Sequence, residues 1–224
     1  MAAAARFDPK AFLTKMGEGK TITRYKPGEI IFKQGEPAEA VYYLQYGSVK
    51  ESVVSGQGRE AVVGMLDPGL FFGTACLDGP MVRTSTATAV KASMVTAINR
   101  DAMNAMLNGR LEFAHLFRVY QLHLTSRLEA DKIDLMFNSI ERRLARALLI
   151  LAHYGVRGGA PQKIGSDISQ ELIAEMIGTT RPRVNHFMTK FRKLGLIRYN
   201  GGIEVSPNLL EFVMHELPKV ENDE

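Results

Sequence analysis

Arg181, Arg183, Asn185, His186 and Lys190 crowd into one short stretch, and their spacing puts them on one side of a helix. Val184, Phe187, Met188 and Phe191 recur on the opposite side. A helix that buries one face and presents cations, an amide and an imidazole on the other is suited to hydrogen-bonding and ion-pairing chemistry rather than bond making. Its natural counterpart is a polyanion whose groove admits a helix, which is duplex DNA.

The preceding residues supply what such a helix needs to be positioned. Ser169 stands where a hydroxyl caps a helix whose apolar set is Leu172, Ile173, Met176 and Ile177. Gly178 tolerates the positive φ of a helix end, and Thr180 is placed as a second cap. Pro182 falls in the first turn of the next helix, where its missing N–H costs little. This spacing predicts a helix-turn-helix. Beyond Gly195, Leu196–Tyr199 and Ile203–Val205 flank Asn200-Gly201-Gly202, a hairpin signal that predicts a β-wing. Glu141–His153 reads as a further helix with Leu144, Leu148, Leu149 and Leu151 as its apolar set, and Tyr154–Gly165 as a loop. Basic residues outnumber acids between Asn138 and Asn200, although the whole chain carries a net charge of only +4. A local basic surface attracts phosphates.

The 224-residue chain is long enough for one large or two small domains. It holds no run of about 18 apolar residues, so no transmembrane helix is expected. The opening M-A-A-A-A-R lacks the apolar core of a secretory leader. The single cysteine, Cys76, excludes an intrachain disulfide and a cysteine-ligated iron–sulfur cluster within the chain; the expected compartment is the cytoplasm. Cys76 reads as a buried small side chain, and His115 and His123 as helix-face residues. No metal-spaced His/Cys cluster, Walker loop or nucleophile–base set appears, so no enzymatic chemistry and no metal are expected.

The first half of the chain has a different period. Strands are expected at Thr21–Tyr25, Glu29–Phe32, Ala40–Leu44, Val49–Val54, Ala61–Leu66 and Ala87–Ile98, separated by glycine turns. Many short strands of this kind predict a barrel, roll or sandwich. Asn99 or Asp101 is placed to cap a short helix. Over Leu111–Phe137 the period becomes helical, and Phe113, Phe117, Tyr120, Leu124 and Leu128 form one apolar seam. That seam has two readings: packing on the chain's own strands, or pairing with a second copy. Dimerisation is the expectation, because helix-turn-helix readers commonly work as two-fold dimers.

Three stretches, taken in order, resemble the catabolite-activator (CRP/FNR) family of bacterial transcription regulators over nearly the full length. Y-K-P-G-E-I-I-F-K-Q-G-E-P-A with V-Y-Y-L-Q-Y-G-S-V-K (Tyr25–Ala38, Val41–Lys50) is similar to the opening of cyclic-nucleotide-binding rolls. F-F-G-T-A-C-L-D-G-P-M-V-R-T-S-T-A-T-A (Phe71–Ala89) is similar to their phosphate-binding cassette, and I-S-Q-E-L-I-A-E-M-I-G-T-T-R-P-R-V to their helix-turn-helix. The resemblance implies an α+β chain: an N-terminal β-roll, jelly-roll-like and effector-sensing, over 1–110; a dimerisation helix over 111–137; and a C-terminal winged helix-turn-helix over 138–224.

In that family the cassette captures a phosphate on backbone N–H groups and an arginine. The resemblance places Gly73, Thr74, Arg83 and Thr84 there, with Glu129 on the long helix near the ligand. Thr74 departs from the pattern, since cyclic-nucleotide binders usually carry a glutamate for the ribose hydroxyl at this point. Leu128 and Glu129 stand where the cAMP activator has a hydroxyl pair. No cofactor is certain. A cyclic mononucleotide, another small anionic effector such as a dinucleotide, and no ligand at all remain open. Arg83 could instead be a structural cation paired with Asp78 or Glu60.

For DNA, the resemblance assigns Arg181 to a guanine in the major groove, with Arg183, Asn185 and His186 as further base readers. Ser169, Thr179, Thr180 and Lys190 are candidate DNA contacts as well, the last three to phosphates. Pro182 stands where a glutamate is frequent, so the operator is expected to differ from the usual half-site. The partners implied are a DNA operator, a second copy of the chain and RNA polymerase, with no membrane. The alternatives are a ligand-independent regulator of the same fold and a signalling module without DNA function.

Overall fold

The computed structural model describes residues 9–14, 17–58, 60–77, 82–154 and 163–214. Two compact units divide the chain, the first ending at Glu129 and the second starting at Ala130.

The first unit is a β-roll of two four-stranded antiparallel sheets. One has the order β1 (Lys20–Tyr25), β8 (Ser93–Asn99), β3 (Ala40–Tyr46), β6 (Phe71–Phe72). The other has β2 (Ile30–Phe32), β7 (Thr86–Ala89), β4 (Val49–Val54), β5 (Glu60–Leu66). Side chains alternate across a strand, so each sheet offers two faces. Leu44, Phe72 and Val95 of the first sheet meet Phe32, Val49, Leu66 and Ala87 of the second in one buried cluster. Val41, Tyr43, Phe71 and Ile98 point the other way, into a second cluster completed by helices.

Those helices are α1 (Pro9–Thr14), α2 (Arg100–Gly109) and α3 (Leu111–Phe137). Asn99 caps α2, its Oδ1 accepting from the Ala102 N–H at 2.8 Å. The helix period of α3 spans the expected range. Its seam, however, divides. Phe113 and Phe117 are buried in the roll's own core, with Phe71 edge-on to both rings. Tyr120 packs on the same cluster and donates to the Phe71 carbonyl. Phe113, Phe117 and Tyr120, expected at a dimer interface, pack within the single chain against the roll's own cluster. Leu124 is half-buried and Leu128 is exposed.

The expected strand Ala87–Ile98 also breaks in two. β7 and β8 belong to different sheets, and the Val90 and Lys91 N–H groups turn aside to the Ser48 carbonyl. No glycine or proline marks that corner, because tertiary hydrogen bonds make it.

The second unit holds the end of α3, α4 (Ile140–Leu151), α5 (Gln170–Met176), α6 (Arg181–Lys193), a wing of β9 (Ile197–Tyr199) and β10 (Ile203–Val205), and α7 (Asn208–Met214). Leu144, Leu148, Ile173, Val184, Met188, Phe191, Ile197 and Leu209 form its buried cluster. The expected loop Tyr154–Gly165 falls largely outside the described residues; at its end Ile164 bridges to Ile203 beside the wing.

Truncating Phe113 to alanine removes a fully buried ring from a well-packed cluster, at an expected cost of about 3–5 kcal/mol. His115→Ala, two positions away on the exposed face, is expected to stay within about 0.5 kcal/mol. Urea denaturation of both variants measures the contrast.

Candidate nucleic-acid interface and anion cassette

In α5 and α6 the apolar residues set the orientation of the polar ones. Val184, Met188 and Phe191 are buried, which turns Arg181, Arg183, Asn185, His186 and Lys190 outward, all of them exposed. Pro182, Asn185, His186, Thr189, Lys190, Lys193 and Leu194 line an open groove along this face. Two of the cations have acidic partners within the unit. Arg181 Nη1 lies 2.9 Å from Glu171 of α5, and Lys190 Nζ lies 2.9 Å from Glu141 of α4, close enough for an ion pair though off the angle of a hydrogen bond. Neither acid stands out in the sequence, since the pairing exists only once the helices pack. An exposed pair such as Arg181–Glu171 contributes about 0–1 kcal/mol, a small barrier to exchange for a base or phosphate.

The two expected caps differ. Ser169 Oγ accepts from the Leu172 N–H at 3.1 Å, so it caps α5 and keeps its own O–H free to donate. Thr180 occupies the N-cap position of α6 with extended backbone but makes no side-chain cap bond, which corrects the expected cap. Its exposed hydroxyl stays available for a phosphate, and Thr179 beside it is half-buried. Gly178 has φ +64, the left-handed conformation the turn demands. The wing forms as expected: Ile203 pairs with Tyr199 and Val205 with Ile197.

In the roll, Gly73 of the cassette meets Arg83. Gly73 has φ +65, and a Cβ there would lie 2.6 Å from Arg83 Nη1. Arg83 Nη1 donates to the Gly73 carbonyl at 3.0 Å and Nη2 to the Ala40 carbonyl at 2.7 Å. The guanidinium carbon sits 4.4 Å from the Phe32 ring centroid and 5.1 Å from that of Tyr42. Arg83 is 5% exposed, and its Nε has no hydrogen-bond partner. Among the described residues no carboxylate hydrogen-bonds it. Glu60 pairs with Lys50 instead, and Asp78 lies outside the described residues. Thr74 opens a 3₁₀ turn that runs to Leu77, and Cys76 in that turn is buried. Thr84 and Glu129 are exposed and make no described contact with Arg83.

Sequence reasoning missed Glu51. It lies on β4 on the same face as buried Val49, where alternation sends a side chain into the roll. Ser85 Oγ donates to its Oε1 at 3.2 Å. Burial raises the Glu51 pKa, opposed by the Ser85 hydrogen bond and the Arg83 charge. Burial likewise pushes the Tyr120 hydroxyl up to about 12, and the Glu51 charge adds to the rise.

The contrasting caps make a direct prediction. Ser169→Ala is expected to destabilise the second unit by about 1 kcal/mol, the usual cost of a lost cap. Thr180→Ala is expected to change stability by less than half as much, since no cap bond is lost. Circular dichroism during urea unfolding reads both.

Comparison with known proteins matches both modules of the chain. A cyclic nucleotide-binding domain model matches residues 22–110, and a Crp-like helix-turn-helix domain model matches residues 142–209. The chain is 32% identical over 176 residues to the CRP-like cAMP-activated global transcriptional regulator of Mycobacterium tuberculosis H37Rv, covering 78% of each chain. It is 31% identical over 192 residues to the global nitrogen regulator of Synechococcus elongatus, covering 82% of this chain and 85% of the relative. The fold is similar to that of FixK2 from Bradyrhizobium japonicum, with a TM-score of 0.73 at 21% identity over 86% of this chain and 96% of that one. A CRP-family transcriptional regulator of Thermus thermophilus gives a TM-score of 0.71 at 24% identity, covering 86% of this chain and 97% of that one. With both modules matched in order, and an outward-facing cationic helix where the second one requires it, the chain belongs to the CRP/FNR family of DNA-binding transcription regulators.

Proposed function

We propose that this regulator works as a homodimer on a two-fold operator, under the control of a small anionic effector held in the β-roll. The observation that supports the DNA half is the exposed face of α6, which carries Arg181, Arg183, Asn185 and His186 opposite the buried Val184, Met188 and Phe191. Arg181 reads a guanine through its O6/N7 edge, and Arg183, Asn185 and His186 read neighbouring bases. Ser169, Thr179, Thr180 and Lys190 position the helix on phosphates. Pro182 cannot accept from a cytosine amine, so the half-site differs from one read by a glutamate there.

The observation that supports an anionic effector is Arg83. A buried cation without a hydrogen-bonded carboxylate is costly, and a phosphate would supply the missing acceptor. Gly73 gives the backbone approach, and Thr74 and Thr84 add hydroxyls. One named relative is a cAMP-activated regulator. On this chain the neutral Thr74 offers cAMP no charged acceptor for its ribose.

For dimerisation the exposed apolar residues of α3 take over from the buried rings. Leu122, Leu128, Ile133, Met136 and Phe137 are all more than half exposed in the single chain, and Leu124 flanks them. Glu129 on the same helix remains a candidate ligand contact from the helix side. RNA polymerase is the proposed partner in transcription, the role is non-catalytic, and the cytoplasm is the proposed compartment. No helix among the described residues is long and apolar enough to cross a membrane.

Arg181→Ala is expected to weaken operator binding by roughly 1–3 kcal/mol and to relax discrimination at one base pair per half-site, whereas Lys190→Ala weakens all duplexes alike. Selection of operators from random duplexes, with wild type and each variant, separates the two. Unchanged preference with Arg181→Ala refutes the reading of α6. The pair Ile133→Asp with Met136→Asp places charge on the exposed stripe without disturbing the roll core. Sedimentation is expected to show a dimer for wild type and a monomer for the pair, with loss of operator binding.

A further inference from the structure

Glu51 is not part of the phosphate cassette, yet it is built into the same interior. It stands on β4, where the Arg83 charge acts on it and its own charge acts on Tyr120 of α3. Gly64 lies opposite it on β5. A Cβ on Gly64 would come to 3.7 Å from Glu51 Oε2, so the strand opposite leaves that oxygen room. Oε1 accepts from Ser85, and Oε2 has no hydrogen-bond partner among the described residues. Glu51 is only half-buried, so Oε2 is an acceptor that an incoming donor can reach. Arg83 presents a buried N–H at Nε without an acceptor. The roll therefore offers a buried, unpartnered N–H at Arg83 and a half-buried acceptor at Glu51, and one molecule carrying an anion and N–H donors would meet both.

We infer that Glu51 is the specificity-determining residue of the effector site, accepting hydrogen bonds from the N1–H and N2–H₂ donors of a guanine base whose phosphate lies at Arg83. This rests on the anion-binding reading of Arg83 given above. The chemistry separates the purines. Guanine places two N–H donors side by side on its Watson–Crick edge, which matches the two oxygens of a carboxylate and makes a charge-assisted pair. Adenine places the N1 lone pair beside its amine, so the same carboxylate gains one bond and meets one repulsion. Reading a base by its Watson–Crick edge while its backbone is held elsewhere is a general solution to nucleotide discrimination. Thr74 fits this picture, because selectivity then resides on the base and not on a charged ribose contact. Cyclic GMP and cyclic di-GMP share the required chemistry.

Titration calorimetry on the full-length protein tests the assignment, with cyclic GMP, cyclic di-GMP and cyclic AMP as ligands. Wild type is expected to prefer the guanine ligands by tenfold or more, and the tighter of the two identifies the mononucleotide or dinucleotide form. Glu51→Val is expected to erase the preference. Glu51→Gln is expected to shift it toward cyclic AMP, since an amide matches the donor–acceptor edge of adenine. Arg83→Ala is expected to weaken all ligands together. A thermal melt of each variant confirms folding. If wild type binds all three equally, or Glu51→Val keeps the preference while Arg83→Ala abolishes binding, the role of Glu51 is overturned and the anion site stands. If wild type binds none of them, and inorganic phosphate leaves its melting temperature unchanged, both readings fall.

Discussion

Much of the first unit is arranged around one buried guanidinium. Arg83 lies shortly before β7, and its side chain reaches across to the Gly73 carbonyl after β6 and the Ala40 carbonyl at the start of β3. Phe32 of β2 and Tyr42 of β3 stack on it. Both sheets of the roll thus supply ligands to a single cation. The close approach of Gly73 follows from this, because any Cβ at that position would collide with Nη1. Carbonyl dipoles and aromatic faces stabilise a cation without neutralising it. The remaining electrostatic demand is for an anion, which ties the packing of the roll to its proposed ligand.

The second unit handles charge differently. Its cations are exposed and lie on one rigid helix, where water screens them and acids can hold them in place. Glu171 and Glu141 do so for Arg181 and Lys190. The exposed Arg181–Glu171 pair is a weak, exchangeable contact on a surface whose geometry is set by the buried apolar residues Val184, Met188 and Phe191. A reader helix needs this combination: firm backbone placement, and side chains held loosely enough to trade partners.

The long helix α3 changes its task along its length. Its first turns close the outer face of the roll with Phe113, Phe117 and Tyr120. Farther on, apolar side chains stand exposed, from Leu128 through Ile133 and Met136 to Phe137. One periodic seam in the sequence therefore becomes two surfaces. Periodicity marks which residues avoid water but not which partner covers them, and the two candidate partners, a sheet and another helix, demand the same spacing.

The sequence by itself determined the elements and their order. Glycine turns and alternation located most of the strands, the three-to-four-residue period located α3 with its full span, and Ser169, Gly178 and Asn200-Gly201-Gly202 marked the helix-turn-helix and its wing. These signals are local, since a cap or a turn needs only its own few residues. What the tertiary structure decided are the contacts between distant residues. It split Ala87–Ile98 between two sheets, withheld the cap bond from Thr180, and took the front of the α3 seam into the roll. It also brought Glu51 and Ser85 together where β4 meets the start of β7, and left Arg83 without a hydrogen-bonded carboxylate among the described residues. A side chain's charge is written in the sequence. Whether that charge is buried, and what faces it, depends on which strands meet, and no local pattern encodes that.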